Sequence, residues 1–155
     1  MARYKFIAGV DEVGRGPLAG AVYAAAVVLD SRIEIEGLRD SKKLSAKKRE
    51  ALDKEIRARS VAYSIAQASV EEIDEINILQ ASMLAMVRAV DKLKINVDFV
   101  YVDGIRSPVL HCRSQCVIKG DDKVYSLNAS SIIAMVVSAK VLRKIDNHYP
   151  EYGLL

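Results

Sequence analysis

Asp11 and Glu12 stand side by side at the end of the apolar stretch Phe6-Ile7-Ala8-Gly9-Val10, and no other feature constrains this chain so tightly. The stretch reads as a buried strand. Two adjacent carboxylates in that setting are costly unless cations neutralise them. Val13-Gly14-Arg15-Gly16-Pro17-Leu18-Ala19-Gly20 follows directly. Its glycine-arginine-glycine turn offers bare backbone amides and a guanidinium to an anion. Acid suited to metal, beside backbone suited to phosphate, points to metal-assisted phosphodiester chemistry.

The rest of the chain reads as an α/β domain. Residues from about 4 to 11 form a first strand, and Ala21 to Leu29 a second that is largely buried. Asp30 to Asp40 is a polar connection. A helix opens at Ser45, runs to about residue 59 and is rich in Lys, Arg and Glu; a short third strand follows around Val61 to Ala66. Ser69-Val70-Glu71-Glu72 is a capping-box pattern that starts a long helical region reaching about Leu93. Ile76, Leu79, Met83, Met86, Val87 and Val90 recur there at helical spacing. Val97 to Asp103 and Gln115 to Lys119 are further strands, and a helix from about Ser126 to His148 ends before Pro150. Strands first, then strand–helix alternation, predicts a mixed sheet flanked by helices.

At 155 residues the chain fits a single domain, residues 1–155, with a core of its own. Its 23 Lys and Arg against 20 Asp and Glu leave a mild +3, compatible with a nucleic-acid partner without requiring one. No apolar run is long enough to span a bilayer and no signal peptide is seen before the first strand, so the expected compartment is the cytoplasm. A monomer is the expected state. Cys112 and Cys116 lie near His111, but a structural zinc needs four ligands and the other histidine, His148, is far along the chain. Reduced, structurally incidental thiols are the expectation.

Two further carboxylates share the strand-end setting. Asp103 closes the run Val97-Asp98-Phe99-Val100-Tyr101-Val102 and precedes Gly104; Asp121 follows Cys116-Val117-Ile118 through Lys119-Gly120. Residues at the carboxyl ends of neighbouring parallel strands converge on one crevice. A four-carboxylate cluster repels itself and calls for divalent ions. Oxygen donors without His or Cys favour Mg²⁺ or Mn²⁺ over zinc, and two such ions can clamp an in-line phosphoryl displacement. Taken singly, Asp103 and Asp121 also read as ordinary turn formers.

Asp11 to Gly20 resembles the first motif of the ribonuclease HII family, the type 2 ribonucleases H. Asp40-Ser41-Lys42-Lys43-Leu44-Ser45 is similar to a second motif. Ile73-Asp74, Ile76-Asn77-Ile78-Leu79 and Ala85-Met86 resemble the central helix. Val102-Asp103-Gly104 and Lys119-Gly120-Asp121 match the places of the third and fourth acidic ligands. The resemblance implies a ribonuclease H-like fold and an endoribonuclease using Mn²⁺ or Mg²⁺, two ions held by Asp11, Glu12, Asp103 and Asp121. It implies cleavage of RNA in RNA–DNA hybrids and incision at ribonucleotides embedded in duplex DNA, with 3′-hydroxyl and 5′-phosphate ends. Gly14, Arg15 and Gly16 would contact the 2′-hydroxyl that distinguishes RNA from DNA, and its flanking phosphates. Tyr152 falls where the family stacks a tyrosine on the following deoxyribose. Lys42 and Lys43 read as phosphate contacts, with a solvated charge pair at a helix entry as the other reading for one of them.

The closing helix departs from the family pattern. Met135, Ser138 and Ala139 stand where a lysine, an arginine and an aspartate are expected, and Asn128 replaces a small residue. The family's C-terminal extension is also expected to be absent beyond Leu155. These departures make a weak or inactive hybrid-binding member of the same fold the alternative function. Gly14-x-Gly16-x-x-Ala19 also resembles a dinucleotide fingerprint, but that fingerprint opens a helix, whereas Pro17 leads into a strand-like run. The related ribonuclease HIII family carries an extra N-terminal domain, which is not expected here.

Overall fold

Pairing of β1 (Ile7–Val13) with β2 (Val22–Val28) as an antiparallel hairpin sets the whole architecture. The computed structural model describes residues 5–13, 20–39, 43–104, 107–117 and 124–148. The remaining elements are α1 (Ala46–Arg59), β3 (Ala62–Ala68), α2 (Val70–Asp91), β4 (Phe99–Asp103), β5 (Arg113–Val117) and α3 (Tyr125–His148). One sheet of five strands runs in the order β3-β2-β1-β4-β5. β3 pairs antiparallel with β2, whereas β4 lies parallel to β1 and β5 parallel to β4. The sheet is therefore mixed, as the sequence predicts. An antiparallel strand follows the glycine-rich segment where a dinucleotide fingerprint would open a helix.

Period-two alternation splits the core into two layers. Ala8, Val10, Ala24, Ala26, Val100 and Val102 face α2, where they meet Ile73, Ala85, Met86 and Val90. Ala25 and Val27 face the other way, against Leu52 and Ile56 of α1 and Ala129, Ile132, Ile133 and Val136 of α3. Every residue of β2 except Tyr23 is buried, because layers cover both of its faces. The connection expected to be polar also feeds the core, since Ile35 and Leu38 are buried with the α3 layer.

Element bounds differ from the sequence expectation in several places; β3 runs on to Ala68, and β4 opens at Phe99 rather than Val97. β1 extends to Val13, paired across the hairpin with Tyr23, so Asp11 and Glu12 lie within the strand and not after it. β5 (Arg113–Val117) opens two residues ahead of the expected Gln115, whereas Ile118 and Lys119 lie outside the described residues; its outer residues Arg113 and Gln115 are exposed, as suits an edge strand. α2 is broken at Asn77, whose φ of 72° and ψ of 168° leave the helical region. The Asn77 side-chain oxygen accepts from the Gln80 amide at 3.0 Å and so caps the second segment. Both bonds of the expected capping box are present: Glu72 N–H donates to Ser69 Oγ at 3.1 Å, and Ser69 N–H to Glu72 Oε1 at 3.0 Å.

Candidate active site

The carboxyl ends of β1, β4 and β5 share one edge of the sheet, because the three strands run parallel. Register then places the acids. Val10 pairs with Val102, so Asp11 and Asp103 are the next residues along adjacent strands, about 4.8 Å apart from strand to strand. Asp11 lies opposite Ala25 of the α3-side core. Asp103 alternates with Val100 and Val102 of the α2-side core, so it too belongs to the α3 face. Asp11 is only 3% exposed, a degree of burial that a carboxylate rarely reaches without compensation. Its Oδ1 accepts the Glu12 amide at 2.8 Å.

Glu12 takes the opposite face. Its partner across the hairpin is Ala24, which belongs to the α2-side core. Strand alternation thus starts the two neighbouring acids from opposite faces: Asp11 and Asp103 come together on the α3 side, while Glu12 starts from the other side. Among the described residues no group of three His, Cys, Asp or Glu side chains is placed to hold a metal ion. Asp121 lies outside the described residues, four positions beyond Val117, the β5 partner of Asp103. Gly14, Arg15, Gly16, Lys42 and Tyr152 also lie outside them. Lys43 is exposed, just ahead of the Ser45 cap that opens α1.

Gly9 is a positional residue that sequence patterning overlooked. A Cβ there would sit 2.5 Å from the Leu127 nitrogen and closer still to the Ser126 carbonyl carbon. α3 therefore seats directly on the β1 backbone, one step along the same face before Asp11. The available signal was a glycine in mid-strand, which often marks a close backbone approach. Gly20, at the start of β2, has a φ of +87° and lies under Val70. A side chain there would be strained and would collide with the head of α2.

The departures along α3 have distinct settings. Asn128 is buried, and Met135 packs partly buried against the α3-side core. Cys112 and Cys116 are free thiols; burial raises the Cys112 pKa, which opposes its reactive thiolate form. His111 approaches Asp91 at 3.6 Å, with both side chains exposed.

A five-stranded mixed sheet with paired aspartates on neighbouring parallel strands defines the ribonuclease H-like class. The model of the ribonuclease HII family matches residues 8–154. Ribonuclease HII of Vibrio parahaemolyticus serotype O3:K6 (strain RIMD 2210633) is 53% identical over 150 residues, covering 97% of this chain and 71% of the relative. Among solved structures, the ribonuclease H2 from Pyrococcus horikoshii OT3 superposes with a TM-score of 0.80 at 29% identity, over 95% of this chain and 78% of that one. Bst-RNase HIII in complex with Mn²⁺ shares the fold at a TM-score of 0.76 and 18% identity, over 92% of this chain and 55% of that one. The chain belongs to the ribonuclease HII family and is a metal-dependent endoribonuclease of that kind. Among the described residues no helix is long and apolar enough to cross a membrane.

Proposed function

We propose that this chain cuts the RNA strand of RNA–DNA hybrids and incises duplex DNA at embedded ribonucleotides, leaving 3′-hydroxyl and 5′-phosphate ends. The observation that carries the reading is the Asp11–Asp103 pair: neighbouring parallel strands, the same face, one of the two fully buried. Two carboxylates so placed repel one another, and a hard cation relieves that repulsion. Their all-oxygen donor set suits Mg²⁺ or Mn²⁺. Glu12 and Asp121, the latter in the segment after β5, would complete the ligand set. A pair of divalent ions held there supplies charge neutralisation for in-line phosphodiester hydrolysis and lowers the pKa of a water.

The remaining residues bind and orient the duplex. Gly14 and Gly16 let backbone amides approach the ribose 2′-hydroxyl and its phosphate, and Arg15 adds a forked donor. Lys42 and Lys43 hold phosphates near the start of α1. Tyr152 stacks on the sugar that follows the ribonucleotide.

The test is direct. Purified protein with Mn²⁺ and a duplex carrying one ribonucleotide should give a nick on the 5′ side of that ribonucleotide. Asp11→Asn should abolish it while leaving the circular dichroism spectrum unchanged. Binding of the duplex without cutting would replace this reading with that of a hybrid-binding protein on the same fold.

A further inference from the structure

The sheet-facing side of α3 changes character along its length. Ala129, Ile132, Ile133 and Val136 form the buried stripe, at i, i+3, i+4 and i+7. Continuing the same helical spacing places Lys140, Arg143 and Lys144 on that stripe. An apolar seam thus becomes cationic without changing face. Lys140 and Lys144 are nonetheless exposed.

Geometry gives the reason. Val124, Tyr125 and Ser126 share a cleft with Ile7 and Leu29, at the amino end of β1. Ser126 rests on Gly9, and the ion pair of Arg143 with Glu50 puts the far end of α3 beside the first half of α1, so the helix runs toward the carboxyl edge. From Ser126 to Lys140 the helix rises about 21 Å, whereas from Gly9 to Val13 the strand advances only about 13 Å. The cationic turns therefore overhang the edge that carries Asp11 and Asp103. Arg143 fixes the overhang by donating to Glu50 Oε1 at 2.8 Å, near the start of α1. Lys47, exposed in the first turn of α1, adds charge to the same rim.

We propose that Lys140 and Lys144 are substrate-binding residues that grip backbone phosphates of the duplex beside the cut. This rests on the nuclease reading above and assigns part of its substrate footprint. A cationic rim along a catalytic edge is complementary to a polyanion, and phosphate contacts of this kind position a duplex without reading its sequence. Their loss should weaken duplex binding whatever the base sequence, and should leave the chemical step alone.

The decisive measurement is duplex binding and cleavage across a salt series, using a ribonucleotide-containing duplex and the whole protein. Removing two phosphate contacts lowers the slope of log affinity against log salt by about 1.8 and weakens binding roughly tenfold or more near 50 mM salt. For the Lys140→Gln, Lys144→Gln double variant, KM should rise accordingly, with kcat within about twofold of the parent. Lys140→Arg with Lys144→Arg should restore both slope and KM. Lys94→Gln, on the turn that leads into the amino end of β4, should change neither. An unaltered slope in the glutamine variant overturns the proposal while the nuclease reading stands, and so does a loss confined to kcat. If the parent protein neither binds nor cuts the duplex, both readings fall together. Matching thermal midpoints show that the variants are folded.

Discussion

The antiparallel half of the sheet, β3-β2-β1, and the parallel half, β1-β4-β5, share one strand and do different work. In the antiparallel half, consecutive strands reverse direction, so strands that follow one another in the chain lie side by side. Its outer strand is also guarded: Lys92 Nζ donates to the Ile65 carbonyl at 2.6 Å, and Arg88 to the Gln67 carbonyl at 2.9 Å. Such cationic cover keeps an edge from pairing with other chains. In the parallel half, crossovers bring residues some ninety positions apart to the same strand end, as with Asp11 and Asp103. The first half makes a platform and the second makes a site.

That division predicts how substitutions sort. Asp103→Asn, in the parallel half, should lower the cleavage rate by more than a hundredfold. Changing groups that merely support a metal ligand already costs about 10- to 100-fold. The thermal midpoint should stay near the parent value, and single-turnover cleavage beside a melting curve checks both. A variant that melted early would place Asp103 in the platform instead. Gly9→Ala, in the shared strand, should do the reverse. The new methyl meets helix backbone, which cannot yield as a side-chain tip would, so overpacking costs about 3 kcal/mol. Urea unfolding measures that loss, and activity should fall only as far as the folded fraction does. A stable Gly9→Ala protein would mean that α3 does not need its close seat on β1.

The platform was the more legible half. β2 reads as a strand because its apolar run is unbroken, and Ser69 with Glu72 announces the head of α2 in four residues. The site was legible in composition but not in geometry. Sequence adjacency suggests that Asp11 and Glu12 act together, yet strand alternation sends them to opposite faces. The break at Asn77 was hidden because apolar spacing continues on both sides of it, and only backbone angles reveal the interruption. The start of β5 is read two residues late from sequence because an edge strand with exposed Arg113 and Gln115 lacks the apolar signature of its neighbours. Nothing in the local sequence reports that Lys140 overhangs a catalytic edge. That follows from where α3 begins and how far it rises.

The smallest expected effect lies in the platform and appears only in acid. Arg88 grips the Glu72 carboxylate with both terminal nitrogens, at 2.7 and 2.6 Å, tying the last turn of α2 to its head across the break at Asn77. The Arg88 hydrogen bonds, together with the Ser69 amide, hold the Glu72 pKa at about 2, below its usual 4.5. A carboxyl depressed in the folded state favours folding fully above its unfolded pKa, and the benefit fades as pH falls from about 4.5 toward about 2. Glu72→Gln should therefore melt below the parent at neutral pH, by about two degrees for so exposed a pair. The two melting curves should converge as the pH is lowered through that window. Because the pair lies within α2, with Arg88 also donating to the Gln67 carbonyl of β3, it sits outside the parallel half and cleavage at neutral pH should be unchanged. A gap that persisted at pH 2, or a fall in kcat, would show that the two halves are coupled through α2.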